Sequence, residues 1–372
     1  MISGIKQPVL LFDAVKKKEG SDMRKYKKTL ALCLAALLAL EFSGGGGSRQ
    51  ALTALAQPAE SGAAPERKMV SGSPDAVRTV TGSNAGKQAA AAEEPYVVGE
   101  TAFATLAEAL EAVTEEKAEI VLQADAEETE KVNIEKTVTI CLNGHNISLA
   151  SGKNIIIGSG AAVIIQGDGQ QGTDGKVAGN ITAYAGTALT VENCTVEGQL
   201  TAHGSSTVTD SLVTSTKSPA FTVNNQNAAV KLSGSLFLFT GTPSGSGVAS
   251  AVKFGAADTV KMEGCTVQGP REGIYFSGAV REAVIDGCAI QGANKEGISF
   301  YGLEAGNTVT VTNSLVSSEE GNAVSASWNM DKTAVIALGE GNTVSGRISL
   351  PGNTDEDYRY QFQVTGGQFV HS

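Results

Sequence analysis

The sequence has few of the residues from which metal centres and disulfide scaffolds are built. Its 372 residues include five cysteines and three histidines, and no two cysteines are separated by only two residues. Structural zinc sites need closely spaced Cys or His ligands, so this class is not expected. The cysteines are also too sparse for a small disulfide-rich domain. Aromatic residues make up 5% of the chain, and Trp328 is the single tryptophan.

Basic residues are also in deficit. Lys and Arg number 28 against 39 Asp and Glu, which gives a net charge of −11. Sequence-independent binding to nucleic acid or to an anionic membrane surface requires clustered positive charge, so neither partner is expected. Glycine contributes 44 residues, while apolar residues still account for 41% of the chain. This combination is typical of short strands joined by tight turns rather than of a disordered protein.

The segment 23–56 has the pattern of a secretory signal peptide. Basic residues are followed by an apolar run at 29–40, which is too short to cross a bilayer as a helix. The sequence ALA at 54–56 offers a cleavage site. Cys33, within LALC, leaves a lipid-anchored alternative, although it lies early in the apolar run. We therefore expect a secreted protein, extracellular or associated with the cell surface.

Two further segments flank this signal. Residues 1–22 are either an over-extended reading frame, with Met23 the true start, or a long region ahead of the signal. Residues 57–95 are rich in Ala, Gly, Ser, Pro and charge, and they predict a disordered linker. The folded domain is then expected to span 96–372.

One helix is predicted at the start of this domain. Thr105 and Glu108 have the spacing of a capping box, and the apolar residues Leu106, Leu110 and Val113 recur at helical spacing. After this segment the apolar pattern alternates with a period of two, which predicts strands. We expect a helix over 105–117 that caps the first strands.

The remainder of the chain repeats itself. GCTVQGPREGIYF at 264–276 returns as GCAIQGANKEGISF at 287–300, and 24 residues separate Gly273 from Gly297 and Gly297 from Gly321. A small or amide residue precedes a Cys or Ser in six related places. These are Asn193, Asp210, Gly234, Gly264, Gly287 and Asn313.

Asn, Asp and Gly are the residue types that tolerate a left-handed backbone, so these six positions predict a corner with positive φ. Alternation on either side of the corner predicts that Leu189, Val191, Cys194 and Val196 point inward. Together with the repeat length, this pattern predicts a parallel β-solenoid of roughly ten coils. The alternating segment 358–364 is expected at its far end.

The segment 103–149 resembles the opening of the right-handed parallel β-helix, or pectin-lyase-like, proteins of bacterial surfaces. The resemblance covers about 100–370 and implies an all-β fold with, in some members, enzymes that act on acidic polysaccharides. It implies clustered Asp residues for hydrolases and calcium-binding carboxylates with a basic residue for lyases. Neither set is present, since the one NTD motif, 353–355, falls in a turn and Arg271, Arg281 and Arg347 lack an accompanying Asp cluster.

Five residues are candidates for ligand binding. If the repeat register holds, Glu272, Glu296 and Glu320 stack at about 4.8 Å. Such a ladder could coordinate calcium, take part in catalysis, or simply mark solvated corners. Tyr275 and Tyr301 are expected to point outward, where aromatic faces can stack on sugar rings.

The same register places Cys265 and Cys288 in adjacent coils. Their distance permits a disulfide, but inward cysteines also act as small buried apolar residues. No cofactor is expected, calcium being the single candidate ion. The sequence favours a non-catalytic secreted or surface β-helix protein for adhesion or glycan binding. The alternatives are a divergent polysaccharide lyase or glycoside hydrolase and a structural spacer.

Overall fold

A computed structural model describes residues 94–114, 118–168, 175–243, 248–327, 330–350 and 360–370. The described chain begins with strands β1 (Tyr96–Val98) and β2 (Thr101–Phe103) and helix α1 (Leu106–Ala112). From there onward it coils into a solenoid in which every turn contributes strands to three parallel ladders. The solenoid makes about nine to ten turns, in agreement with the repeat length.

The ladder of the first face starts where β1 pairs antiparallel with β3 and then continues by parallel pairing. Its strands are β3 (Ala118–Leu122), β6 (Val138–Cys141), β9 (Ala162–Gln166), β12 (Ala188–Glu192), β15 (Ser205–Thr209), β18 (Ala229–Ser233), the last part of β20 (Ser250–Glu263), β23 (Val280–Asp286), β26 (Thr308–Thr312), β28 (Val335–Leu338) and β30 (Gln361–Val364).

The second face follows the first around a sharp corner. Its strands are β4 (Ala126–Glu128), β7 (Asn146–Leu149), β10 (Lys176–Ala178), β13 (Thr195–Glu197), β16 (Leu212–Ser215), β19 (Leu236–Phe239), β21 (Thr266–Gly269), β24 (Ala289–Gly292), the first parts of β27 (Leu315–Ala326) and β29 (Thr343–Ser349), and β31 (Gln368–Val370).

The third face completes each coil and is the one that positions the candidate site. Its strands are β5 (Val132–Ile134), β8 (Asn154–Ile157), β11 (Asn180–Ala183), β14 (Leu200–Ala202), β17 (Phe221–Asn224), the first part of β20, β22 (Glu272–Phe276), β25 (Glu296–Phe300) and the last parts of β27 and β29.

The corner between the first and second faces confirms the left-handed positions. All six predicted residues have φ between 46° and 61°. The residue that follows each corner turns inward and is at most 4% exposed, whether it is Cys or Ser. Leu189, Val191 and Val196 are buried as the alternation predicted. The corner therefore sets the parity of the strands on both sides.

The interior is built from columns of like residues. On the third face Ile274 lies beside Ile298, and Phe276 lies beside Phe300 with ring centroids 5.1 Å apart. Phe254 extends the aromatic column, 5.1 Å from Phe276. Side chains that point inward are thus removed from water in register, which makes the register of the third face costly to shift.

Helix α1 forms where it was predicted, but it ends at Ala112, earlier than expected. The hydroxyl of Thr105 accepts a hydrogen bond from the Glu108 N–H, and the Glu108 carboxylate accepts one from the Thr105 N–H. The buried carboxylate of Glu128 accepts a further bond, of 2.8 Å, from the Leu106 N–H. Lys136 donates to the carbonyls of Leu110 and Val113 at the other end, each at 2.8 Å. The first coil thereby holds both ends of the helix.

Several predictions fall outside the described residues. The over-extended start (1–22), the signal peptide (23–56) and all but the last two residues of the linker (57–95) are among them. Trp328 and the NTD motif at 353–355 are too. Within the described part of the chain, no helix has the length and apolar character needed to cross a membrane.

Candidate functional site

A cleft of about 460 Å³ opens on the third face, between β22, β25 and the last part of β27. We call it the tyrosine cleft. Its walls carry two aromatic side chains, three charged side chains and several hydroxyls. The lining residues used below are Glu272, Tyr275, Lys295, Glu296, Ser299, Tyr301 and Ser325.

The register of the third face brings these residues together. Tyr275 lies beside Ser299, and Ser299 lies beside Ser325, so the three share one outward row over successive coils. Tyr301 directly follows β25, and its N–H donates to the Phe276 carbonyl at 2.8 Å. Strand alternation thus points Tyr275, Ser299 and Ser325 into the cleft, while Ile298 and Phe300 turn their side chains into the core.

The two tyrosines form the aromatic wall of the cleft. Their ring centroids are 6.1 Å apart and their planes are tilted by 37°. Tyr301 is 48% exposed, whereas Tyr275 is 8% exposed and lies deeper. Both were singled out in the sequence as outward residues, and the structure adds that they are neighbours. Burial, and to a lesser degree Tyr301 and the two glutamates, raises the pKa of Tyr275, so its hydroxyl is neutral at ordinary pH.

Glu272 is a buried carboxylate, not a solvated corner residue. Its side chain is 2% exposed and accepts a hydrogen bond of 2.7 Å from the Ala249 N–H. Its other oxygen lies 3.4 Å from Lys295 Nζ, and that lysine side chain is 41% exposed. Both oxygens therefore have protein partners, which compensates for their removal from water.

Glu296 lines the same cleft in the next coil, and its environment differs. Burial raises the pKa of its carboxyl, and the charge of Glu272 raises that pKa further. Lys295 and Arg271 act in the opposite direction and leave the net shift upward. Two carboxylates in adjacent coils thus have different surroundings, one paired and one strained.

The expected stack of three glutamates is wrong for Glu320. Glu296 lies beside Asn322, and the register of β27 shifts between Ser317 and Asn322 and again before Val324. Glu320 is exposed and lies outside the cleft. The 24-residue spacing breaks here because the core places Ile298 beside Val324, which are 26 residues apart. Alternation of apolar residues across Val324 and Ala326 was the signal that the Glu-Gly pairs concealed.

Sequence reasoning missed part of the cleft. Ser299 and Ser325 have the same outward parity as Tyr275 and could have been found by following that row. A second concavity of about 420 Å³ was not anticipated at all. It lies on the same face near the N-terminal coils, where Lys131, Asn133, Glu135 and Tyr184 line it. Tyr184, like Tyr301, is 48% exposed.

The cysteines are described as thiols. Cys265 and Cys288 are buried, and neither forms a disulfide. A hydrogen bond with Cys265, together with burial, raises the pKa of the Cys288 thiol well above its ordinary range. Among the described residues, no three Cys, His, Asp or Glu side chains come together in a group that could hold a metal ion.

Comparison with known proteins identifies the fold. Residues 178–337 match the family model of the right handed beta helix region, so the right-handed parallel β-helix of the pectin-lyase-like proteins is confirmed. Among solved structures, the A-module of the mannuronan C-5 epimerase AlgE4 from Azotobacter vinelandii is 14% identical over 72% of this chain and 91% of that chain, with a TM-score of 0.34. The Dettilon tailspike protein is 10% identical over 62% of each chain, with a TM-score of 0.23. No curated protein matches the sequence.

Proposed function

We propose that this protein is a secreted or cell-surface glycan-binding β-helix, and that the tyrosine cleft is its binding site. The observation that carries the proposal is the half-exposed ring of Tyr301, set beside Tyr275 in a concave part of the third face. An exposed aromatic face offers an apolar platform to a sugar ring, while its hydroxyl can bond to the sugar's polar groups. Single exposed aromatics are common, but a tilted pair within a cleft is a more specific arrangement.

The remaining lining supports the same proposal. Ser299 and Ser325 place hydroxyls in the row beside Tyr275, and hydroxyls both donate and accept hydrogen bonds. Glu296 adds an acceptor that is only partly covered. A ligand-binding cleft typically combines an apolar wall with a few polar groups that fix orientation. The cleft holds both within a few coils of a rigid ladder.

Retention on immobilised glycans tests the proposal. The full chain would be passed over a panel of neutral, amino-containing and uronate-containing glycans, and affinities would be measured by calorimetry for those that retain it. We expect Tyr301→Ala to weaken binding about tenfold, equivalent to about 1.4 kcal/mol. Tyr184→Ala is the matched control, since Tyr184 has the same exposed fraction on the same face. No retention on any glycan, or equal losses from both variants, would overturn the proposal.

The pair of glutamates favours a second candidate, a divergent polysaccharide lyase or glycoside hydrolase. General acid–base catalysis uses two carboxyl groups whose environments separate their pKa values, and the raised pKa of Glu296 beside the paired Glu272 has this character. Incubation with the same panel, with and without calcium, would be followed by absorbance of unsaturated products and by reducing ends. Turnover that Glu296→Gln abolishes would establish the enzyme in place of the binding protein.

A further inference from the structure

We infer that the tyrosine cleft selects glycans that carry free amino groups, and that Glu296 is the residue that selects them. The inference rests on the proposed function, because it names the class of glycan that the same cleft takes. It concerns the sign of the charge in the cleft, and that sign differs from the basic clamp that an acidic polysaccharide requires.

The charged groups that line the cleft are Glu272, Lys295 and Glu296. Glu272 and Lys295 form an ion pair, and the second oxygen of Glu272 is bonded to the Ala249 N–H. Within the described part of the chain, the Glu296 carboxylate has no hydrogen bond or ion pair of its own. The lining thus amounts to one neutral pair and one remaining negative charge.

The strain on Glu296 shows what a ligand could supply. Its carboxyl is half-buried, and Glu272 in the preceding coil repels its ionised form. Lys295 and Arg271 offset this repulsion in part, and the hydroxyls of Tyr275 and Tyr301 are the other titratable groups nearby. A ligand ammonium beside Glu296 would stabilise the ionised carboxylate, because an opposite charge at close range outweighs partial burial.

The aromatic wall favours the same partner. The faces of tyrosine rings attract cations, and this attraction is stronger when the cation has lost part of its water. Tyr275 is almost fully covered and Tyr301 shields it, so a positive group between the rings and Glu296 would be partly desolvated. A free amino group on a sugar ring provides both an apolar face for Tyr301 and a cation for Glu296.

A uronate meets the opposite conditions. Its carboxylate would lie close to Glu296 and Glu272, and the lysine in the cleft is already paired with Glu272. Like charges at this range disfavour binding by several kcal/mol in partly buried sites. The net charge of −11 on the whole chain adds a weaker long-range repulsion.

Calorimetry with three oligosaccharides of one length tests this inference on the full chain. The ligands are glucosamine, N-acetylglucosamine and galacturonate oligomers, and N-acetylation removes the charge while it keeps the sugar ring. We expect the glucosamine oligomer to bind at least tenfold more tightly than its acetylated form, and the galacturonate oligomer to bind more weakly than both. Glu296→Gln should remove the preference while it leaves binding of the acetylated oligomer unchanged.

Glu320→Gln is the control, because it removes one negative charge from an exposed position outside the cleft. If both variants lose the preference equally, the amine is held by overall charge and the inference fails. Tighter binding of the acetylated or uronate oligomer would also overturn it, while the proposed glycan-binding function would stand. Failure of all three ligands and of the wider glycan panel would overturn both.

Discussion

The left-handed corner shows how single residues set the fold at the residue scale. Gly264 has φ of 60°, and a Cβ added there would meet no atom within 4 Å. Space is therefore not what selects glycine at this position. Asn occupies the equivalent corner at 193 and 313 with φ of 50°. The selection is for backbone conformation, which Asn tolerates better than a β-branched residue.

We expect Gly264→Val to destabilise the protein and Gly264→Asn to have a smaller effect. A left-handed backbone costs a β-branched residue about 1–2 kcal/mol or more, whereas Asn visits this region more readily. The measurement is the midpoint and slope of urea unfolding for the two variants and the parent. Equal losses from Asn and Val would mean that an unseen contact, rather than conformation, selects glycine there.

Glu296 gives a second prediction at the residue scale, which concerns pH and stability. Its pKa is raised in the folded chain, so the folded state holds its proton at a pH where the unfolded state has released it. Stability is therefore lost as pH rises from the unfolded value, about 4.3, through the raised folded value.

We accordingly expect Glu296→Gln to raise the melting temperature at pH 7 and to have little effect at pH 3.5. Glutamine keeps the size of the side chain and removes the charge that the folded state disfavours. Melting curves over this pH range compare Glu296→Gln with Glu320→Gln, whose exposed side chain should change little at either pH. A loss of stability at pH 7 on Glu296→Gln would show that the carboxylate is stabilised in the fold.

At the scale of one element, the residues after the corner form a column along the inside of the solenoid. Each donates from its side chain to the carbonyl two residues earlier. The distances are 2.8 Å from Ser211 and Ser235, 2.7 Å from Ser314, 3.6 Å from Cys265 and 3.3 Å from Cys288. Sulfur and oxygen therefore fill the same role in this column.

We expect the double variant Cys265→Ser/Cys288→Ser to remain folded with a melting temperature close to that of the parent. Serine would make the donor bond that its neighbours in the column already make. A reducing agent should likewise leave the melting temperature of the parent unchanged. A disulfide would give a different result, because its removal typically costs about 2–4 kcal/mol.

The comparison of Gly273, Gly297 and Gly321 shows which elements the sequence predicts. Corners and inward parity were predictable, since they follow from backbone conformation and from burial of alternate residues. The position of Glu320 was not, because β27 shifts its register to keep Val324 over Ile298. A repeated Glu-Gly pair is a weaker constraint than an apolar column, since burial of the column contributes most of the free energy.

The cleft was less predictable than the fold, for a related reason. Glu272 was recognised as a candidate, but its burial depends on the loop that brings the Ala249 N–H against it, 23 residues earlier in the chain. No local pattern reports such a contact. Tyr275 and Tyr301 were both found as outward residues, yet their contact arises from the turn that follows β25.

At the scale of the whole molecule, the two ends of the described solenoid differ. In β3, which β1 and the first coil cover, the inward residues Ile120 and Leu122 are 0% exposed. In β30 and β31 the residues with the same inward parity, Val364 and Phe369, are 49% and 47% exposed. Each coil of a solenoid is stabilised by its neighbours alone, so a coil with one uncovered side lacks half of its packing.

Amide hydrogen exchange should therefore reveal a gradient of stability along the ladder. We expect β30 and β31 to exchange fastest, β3 to be protected almost as well as the central strands, and β22 and β25 to exchange slowly. Local opening requires loss of buried apolar contacts and of ladder hydrogen bonds, and the last coil has fewest of both. Exchange measured by mass spectrometry on the full chain would compare β3 with β30, which occupy the two ends of the same face. Equal protection of the two strands would mean that another part of the chain, or a second copy, covers the exposed end in solution.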